Sequence, residues 1–190
     1  MKIIENVSTT DVVNKLLEQK LVALYQGRSE AGERALGNRS LLFDPRNKDG
    51  KDIVNIVKRR ESFRPFAATI LYEYANDYFH MEPFGGESPF MGYSIRCREE
   101  KIQEMPAVVH VDNTCRVQTL RRSQNPNYYN LISKFFVMTG VPLLLNTSFN
   151  LAGEPIVETP EDAIEAIKES TIHYLYLPEI NMLVENQNAK

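Results

Sequence analysis

The chain has 190 residues, 43% of them hydrophobic, which is enough for one substantial core and short for two independent domains. Its 22 Lys and Arg against 25 Asp and Glu give a net charge of -3, so the molecule as a whole exerts no long-range pull on nucleic acid or anionic membrane, and any anion site must be local. Cys97 and Cys115 form no CxxC pair, the N-terminal MKIIENVSTT lacks the apolar run of a signal peptide, and no stretch approaches a membrane span. The expectation is a soluble, cytoplasmic protein with one domain over residues 1–190.

In chain order, Thr9 or Thr10 can cap a helix in which Val12, Val13, Leu16 and Leu17 recur at helical spacing. Leu21 to Tyr25 reads as a buried strand, followed by the glycine-bearing loop QGRSEAGERALGNRS. Ser40 to Phe43 predicts a short strand, and Ile53, Val54 and Val57 mark one face of a helix beginning near Lys51. Lys58, Arg59 and Arg60 are expected in its last turn, where the helix dipole favours cations. Phe66 to Leu71 predicts a strand, and Tyr72 to Phe79 a short aromatic helix. MEPFGGESPF is expected to be a mobile loop. Strands are expected over Met91 to Cys97 and Ala107 to Val111, then a turn at Asp112-Asn113 and a strand from Arg116 to Leu120.

Pro126 suits the first turn of a helix carrying Tyr129, Ile132, Phe135 and Phe136, stopped by Gly140. VPLLLNTSFN is an apolar strand that turns abruptly polar, the pattern of a buried strand delivering groups to a crevice. Thr159, Pro160, Glu161 and Asp162 open another helix. Tyr174 to Leu177 makes a last strand, and residues 184–190 are expected to fray.

Arg28, Arg34, Arg39, Arg46, Lys58, Arg60 and Arg64 cluster near glycines and strand ends. Guanidinium forks and a lysine point charge suit a polyphosphate. A solvated surface with Glu30, Glu33 and Glu61 as partners accounts for the same charges, so composition leaves both readings open. Arg64, set between Phe63 and Pro65-Phe66, is expected in apolar surroundings, where it would require an anion. Asn146, Ser148 and Asn150 alternate along an extended chain and can present amides and a hydroxyl to one side, suiting a small carbonyl compound; a simple turn explains them too. His110 reads as structural, and His80, His110 and His173 lack the pairings of a metal site. Neither GxGxxG nor GxxxxGK[ST] occurs. Tyr72, Tyr74, Tyr78 and Phe79 read as core packing in preference to base stacking.

The blocks QGRSEAGERALGNRSLLFDPR, VKRRESFRPFA, HVDNTCRVQT and TGVPLLLNTSFNLAGEPIVETPEDAI, spread from about Val22 to Leu177, resemble the C-terminal, YrdC-like domain of NodU/CmcH-type O-carbamoyltransferases. The resemblance implies an α/β domain whose twisted mixed sheet is flanked by helices and encloses a cationic cavity. It implies a transferase module that takes carbamoyl phosphate and ATP, with Mg2+ arriving on the nucleotide, and forms carbamoyl adenylate. A separate N-terminal domain or subunit would then pass the group to a hydroxyl for biosynthesis of a small molecule.

By position, Lys58, Arg64 and Ser148 match residues that hold carbamoyl phosphate, with Asn146, Asn150 and Arg60 as further substrate contacts. Arg34, Arg39 and Arg116 would face ATP. No protein-held metal is implied. Ala31-Gly32-Glu33-Arg34 departs from the family's usual Phe-Gly-Pro-Arg run, and Asn113 and Cys115 replace its usual Gly and Ala. A non-catalytic subunit of the same fold, or an RNA-binding YrdC-like module, are the alternative readings; the acidic net charge weighs against the second.

Overall fold

A computed structural model describes residues 1–189. The strands are β1 (Lys2–Ile4), β2 (Val22–Tyr25), β3 (Arg39–Phe43), β4 (Ala67–Leu71), β5 (Ser94–Arg96), β6 (Thr114–Leu120), β7 (Leu143–Ser148), β8 (Tyr174–Leu177) and β9 (Met182–Glu185). The helices are α1 (Thr9–Leu17), α2 (Gly50–Val57), α3 (Ala75–Tyr78), α4 (Pro126–Thr139) and α5 (Pro160–Lys168). Among the described residues the strands form one mixed sheet in the order β1-β9-β8-β2-β3-β7-β4-β6-β5.

The middle of that sheet is buried throughout: every residue of β3 and β4 and the first four of β7 are buried. Strands covered on both faces read as continuous apolar runs, which is why Leu143-Leu144-Leu145 shows no alternation. Helix α1 is capped by Ser8, whose hydroxyl accepts from Asp11 N while the Asp11 carboxylate accepts from Ser8 N. The cap is thus one residue earlier than expected. Pro126 opens α4 and Gly140, at φ 77, ends it as the spacing predicted.

Several expectations need correction. Ala107 to Val111 is not a strand: it is a turn and extended coil, with His110 N donating to Thr114 O and Asn113 N to His110 O. Asn113 takes φ 60 there, a conformation that asparagine tolerates. The Met91–Cys97 strand shortens to β5, and Tyr72–Phe79 is a 3-10 turn over Tyr72–Tyr74 followed by the single turn α3.

Helix α2 ends at Val57, so the basic run lies beyond it and not in its last turn. Finally, Val184 to Asn186, the start of the tail expected to fray, belong to the folded body. Glu185 pairs with Lys2 and Tyr174, and the buried Asn186 amide donates to the carbonyls of Ile167, Ser170 and Ile172. Lys190 lies outside the described residues.

The loop from Gly27 to Asn38 is tied down from inside. Glu30 Oε1 accepts from the backbone N–H of Leu36, Asn38 and Arg39. Below it, Thr69 Oγ1 donates to Gln118 Oε1 at 2.7 Å, and Asn146 Nδ2 donates to Thr69 Oγ1 at 2.9 Å. Gln118 Nε2 and Asn146 Nδ2 then donate to the carbonyls of Leu36 and Ala35. Buried polar groups satisfied in this way fix one arrangement of the chain above them.

Gly37 closes the loop at φ 109, and a Cβ built there would lie 2.3 Å from the Tyr128 ring. Gly37→Ala is expected to lower stability by roughly 2–4 kcal/mol, from overpacking plus the left-handed backbone. Gly140→Ala, whose Cβ would meet open space, should cost only about 1 kcal/mol. Urea denaturation midpoints of the two variants check the difference.

Candidate functional site

The site begins at the end of α2. Arg59 N donates to Ile56 O and Arg60 N to Asn55 O, with Arg59 at φ 53. This is a Schellman ending with an arginine in the left-handed position where glycine is usual. It turns the chain so that Lys58 and Arg60, two residues apart, both face the same cleft. Asn55, buried in the last turn, secures the segment that leaves the helix: its Nδ2 donates to the carbonyls of Ser62 and Arg64, and its Oδ1 accepts from Arg60 Nε at 2.6 Å.

Opposite stands the polar end of β7. Lys58, only 3% exposed, donates from Nζ to Ser148 O at 2.5 Å, Ser148 Oγ at 3.2 Å and Asn150 Oδ1 at 3.0 Å. All three acceptors are neutral. Burial, and then the nearby Arg60 charge, bring the Lys58 pKa down to about 7. Arg60 stacks its guanidinium 4.4 Å from the Phe66 ring centroid. Its Nη2 is buried without a hydrogen-bond partner. Burial and then Arg64 push its pKa down to about 10.

Two neighbouring hollows result, with lining residues in common. The larger, about 580 Å³, is lined by Lys58, Arg60, Arg64, Ser148, Asn150 and Gly153. The smaller, about 110 Å³, is lined by Arg34, Arg60, Met91, Arg116, Asn146 and Ser148. Arg60 and Ser148 belong to both. In the smaller hollow, burial and then the Arg34 charge lower the Arg116 pKa. Burial and neighbouring positive charge disfavour the charged forms of these three groups, against a smaller opposing pull from Glu61 on Arg60 and Glu33 on Arg116, and an anion would favour them.

The sequence-predicted residues meet unevenly in these hollows. Lys58, Arg60, Arg64, Ser148 and Asn150 share the larger one, and Arg34, Arg116 and Asn146 the smaller. Arg64 is not buried as expected. Its side chain is 53% exposed and pairs with Glu61 at 2.8 Å, because Phe63 and Pro65 also face solvent and supply no apolar enclosure.

Arg39 faces away from both hollows. It is 2% exposed, stacks 3.7 Å from the Tyr25 ring centroid, and donates to the carbonyls of Gln26, Gly27, Asn38 and Glu158. Its work is to close the Gly27–Asn38 loop. Asn146 is fully buried and its Nδ2 is engaged below that loop, while its Oδ1 has no partner.

Of the acidic partners expected for the basic cluster, Glu33 pairs with Arg34 and Glu61 with Arg64. Glu30 instead holds backbone N–H groups. His110 is structural: its ring nitrogens meet Phe66 O at 3.0 Å and Thr114 Oγ1 at 3.2 Å. Reasoning from sequence missed Asn55 and Met91. The first reads as an ordinary helix residue, and the second as part of a strand.

The sequence profile of the family described as Carbamoyltransferase C-terminus matches residues 13–184. Nodulation protein NolO of Bradyrhizobium diazoefficiens is 48% identical over 145 residues, covering 76% of this chain and 26% of its own length. The 3'-hydroxymethylcephem-O-carbamoyltransferase of Amycolatopsis lactamdurans is 43% identical, covering 76% of this chain and 27% of its own. The chain therefore spans about a quarter of the length of these curated relatives. In fold it is similar to full-length HypF in its phosphate- and nucleotide-bound form, with TM-score 0.61 at 20% identity over 85% of this chain and 23% of HypF.

The protonation of Lys58 yields a stability test. Its folded pKa, about 7, lies below the ordinary lysine value of 10.5. Between those values the unfolded chain binds the extra proton, so stability rises with pH. Relative to Lys58→Met, the native protein is expected to gain about 2 kcal/mol between pH 7 and pH 9. Urea denaturation of both proteins at the two pH values measures it.

Proposed function

We infer the activity from one premise: this chain belongs to the Carbamoyltransferase C-terminus family. The reading is that the two hollows take carbamoyl phosphate and ATP and produce carbamoyl adenylate. The observation that carries it is the convergence of Lys58, Arg60 and Arg116, each with its charged form disfavoured, on space shared through Arg60 and Ser148.

In this reading the larger hollow receives carbamoyl phosphate. A water molecule cleaves the P–O bond of carbamoyl phosphate, its oxygen and protons leaving with inorganic phosphate and carbamate remaining. Lys58 and Arg64 neutralise the phosphate as it departs, and an arriving phosphate keeps Lys58 protonated. The Ser148 hydroxyl, on the lining of both hollows, orients the carbamoyl group so that its NH2 turns toward the smaller hollow, where the unpartnered Asn146 Oδ1 would accept from it. The carbamate oxygen then attacks the α-phosphorus of ATP, and pyrophosphate leaves. Arg34 and Arg116 stabilise the charge that grows on the α-phosphate, already fixed in place before it develops. Arg60, reachable from both hollows, steadies the phosphate oxygens between them. Arg39 takes no part.

The donor set fits magnesium carried by the nucleotide. The carboxylates lining the hollows, Glu33 and Glu61, are already paired with arginines, so the ion would be held by the nucleotide and would supply charge neutralisation there alongside Arg34 and Arg116. Transfer of the activated carbamoyl group to a hydroxyl acceptor is assigned to a further domain or subunit, since this chain spans only about a quarter of its relatives' length.

The test is exchange of labelled pyrophosphate into ATP. The chain is expected to catalyse it when carbamoyl phosphate is supplied and not without it. Ser148→Ala and Lys58→Ala should each lower the rate by on the order of 10²-fold. Exchange that is absent in the native protein, together with no heat of ATP binding by calorimetry, would overturn the reading.

A further inference from the structure

At about 110 Å³, the smaller hollow is too small for a nucleoside triphosphate. Pockets that enclose a drug-sized ligand run to roughly 300–1,000 Å³, so this one takes only the phosphate end of a nucleotide. The base must lie outside it, where an exposed aromatic face offers stacking.

The segment after the 3-10 turn Glu82–Phe84 brings Met91 to the lining of the smaller hollow that also holds Arg116. That segment leaves through Gly85 and Gly86, at φ 68 and 83. It looks mobile in sequence, yet Ser88 clamps it to β6. Ser88 N donates to Thr119 Oγ1 at 2.9 Å, Ser88 Oγ donates to Val117 O at 2.8 Å, and Thr119 N donates to Ser88 O at 3.0 Å. Three residues on, Met91 is buried and lines the smaller hollow at φ 54. A side chain with a Cβ is strained in that region, and such strain persists only where the surroundings hold it. Past Gly92, Val117 N donates to Tyr93 O at 3.3 Å, and Ser94 lies opposite Arg116 in the sheet.

Phe90 stands inside this clamped stretch, between Ser88 and Met91, and is 72% exposed. Nothing in the core requires it. Tyr93, 52% exposed, already packs against Phe84, with ring centroids 4.7 Å apart. Resting on the nucleotide reading of the site, we propose that Phe90 is the platform on which the base of the nucleotide stacks, while its phosphates reach inward to Arg34 and Arg116. Because every base has a π face, such a platform supplies affinity without choosing strongly among bases.

The chain contains no tryptophan, so Phe90→Trp creates a single reporter. ATP is expected to quench its emission, whereas inorganic triphosphate, bound to the same arginines, leaves it unchanged. In calorimetry, Phe90→Ala should weaken ATP by roughly 5- to 100-fold, the range for losing one stacked base, and GTP by a similar factor, with triphosphate affinity intact.

Phe63, at 76% exposure beside Arg64, supplies the control. Quenching in Phe63→Trp and not in Phe90→Trp would overturn the proposal, as would native ATP affinity in Phe90→Ala. If the native protein binds neither ATP nor triphosphate, the nucleotide reading falls and the base platform with it. A native urea midpoint for Phe90→Ala excludes misfolding as the cause of any loss.

Discussion

Lys58 and Arg60 hold positive charge largely away from water and without a carboxylate partner, and the architecture around the hollows reflects that constraint. Lys58 has only neutral acceptors, and one nitrogen of Arg60 has none. Arg34 bears on Arg116 by repulsion across the smaller hollow. Like charges at a few ångströms repel strongly in a medium poorer than water. They stay together only because each is anchored through its backbone or through a neutral hydrogen bond. The two carboxylates near them stay at the rim, paired with the more exposed Arg34 and Arg64.

The anchoring comes from polar groups that are themselves neutral. Asn55 ties the end of α2 to the approach to β4 through three hydrogen bonds. Thr69, Gln118 and Asn146 join the three adjacent strands β4, β6 and β7 and reach the loop that carries Arg34. Arg39 and Glu30, although charged, are used on backbone carbonyls and N–H groups of that same loop. Structural and ligand-facing charge thus lie a few residues apart in sequence and on opposite sides of the loop.

Much of the architecture was legible. Apolar periodicity located α4, the cap at Thr159 with Pro160 and two acidic residues behind it located α5, and the abrupt change from Leu145 to Asn146 located the end of a buried strand at the site. The four sequence blocks identified the family and its mixed α/β fold, which the profile match and the likeness to HypF support. What stayed hidden depends on contacts distant in sequence. Arg34 and Arg39 read alike in the chain, yet only tertiary packing sends one to a hollow and the other onto Tyr25. Arg64 looked enclosed because flanking aromatic residues suggested burial, but Phe63 turns to solvent. The apolar run ahead of His110 looked like a strand, whereas Phe66 O and Thr114 hold it as a turn. The short strands β1, at the sheet edge, and β9, beside it, carry too few residues for alternation to show.

The left-handed arginine at the end of α2 has a dynamic corollary. Glycine at position 59 would relax the backbone by about 1 kcal/mol, but it would also open the corner to many conformations. With Arg59 the turn occupies one narrow well, so the spacing between Lys58 and Arg60 is set during folding. The ordering entropy of that corner is met as the chain folds, before the hollow receives anything.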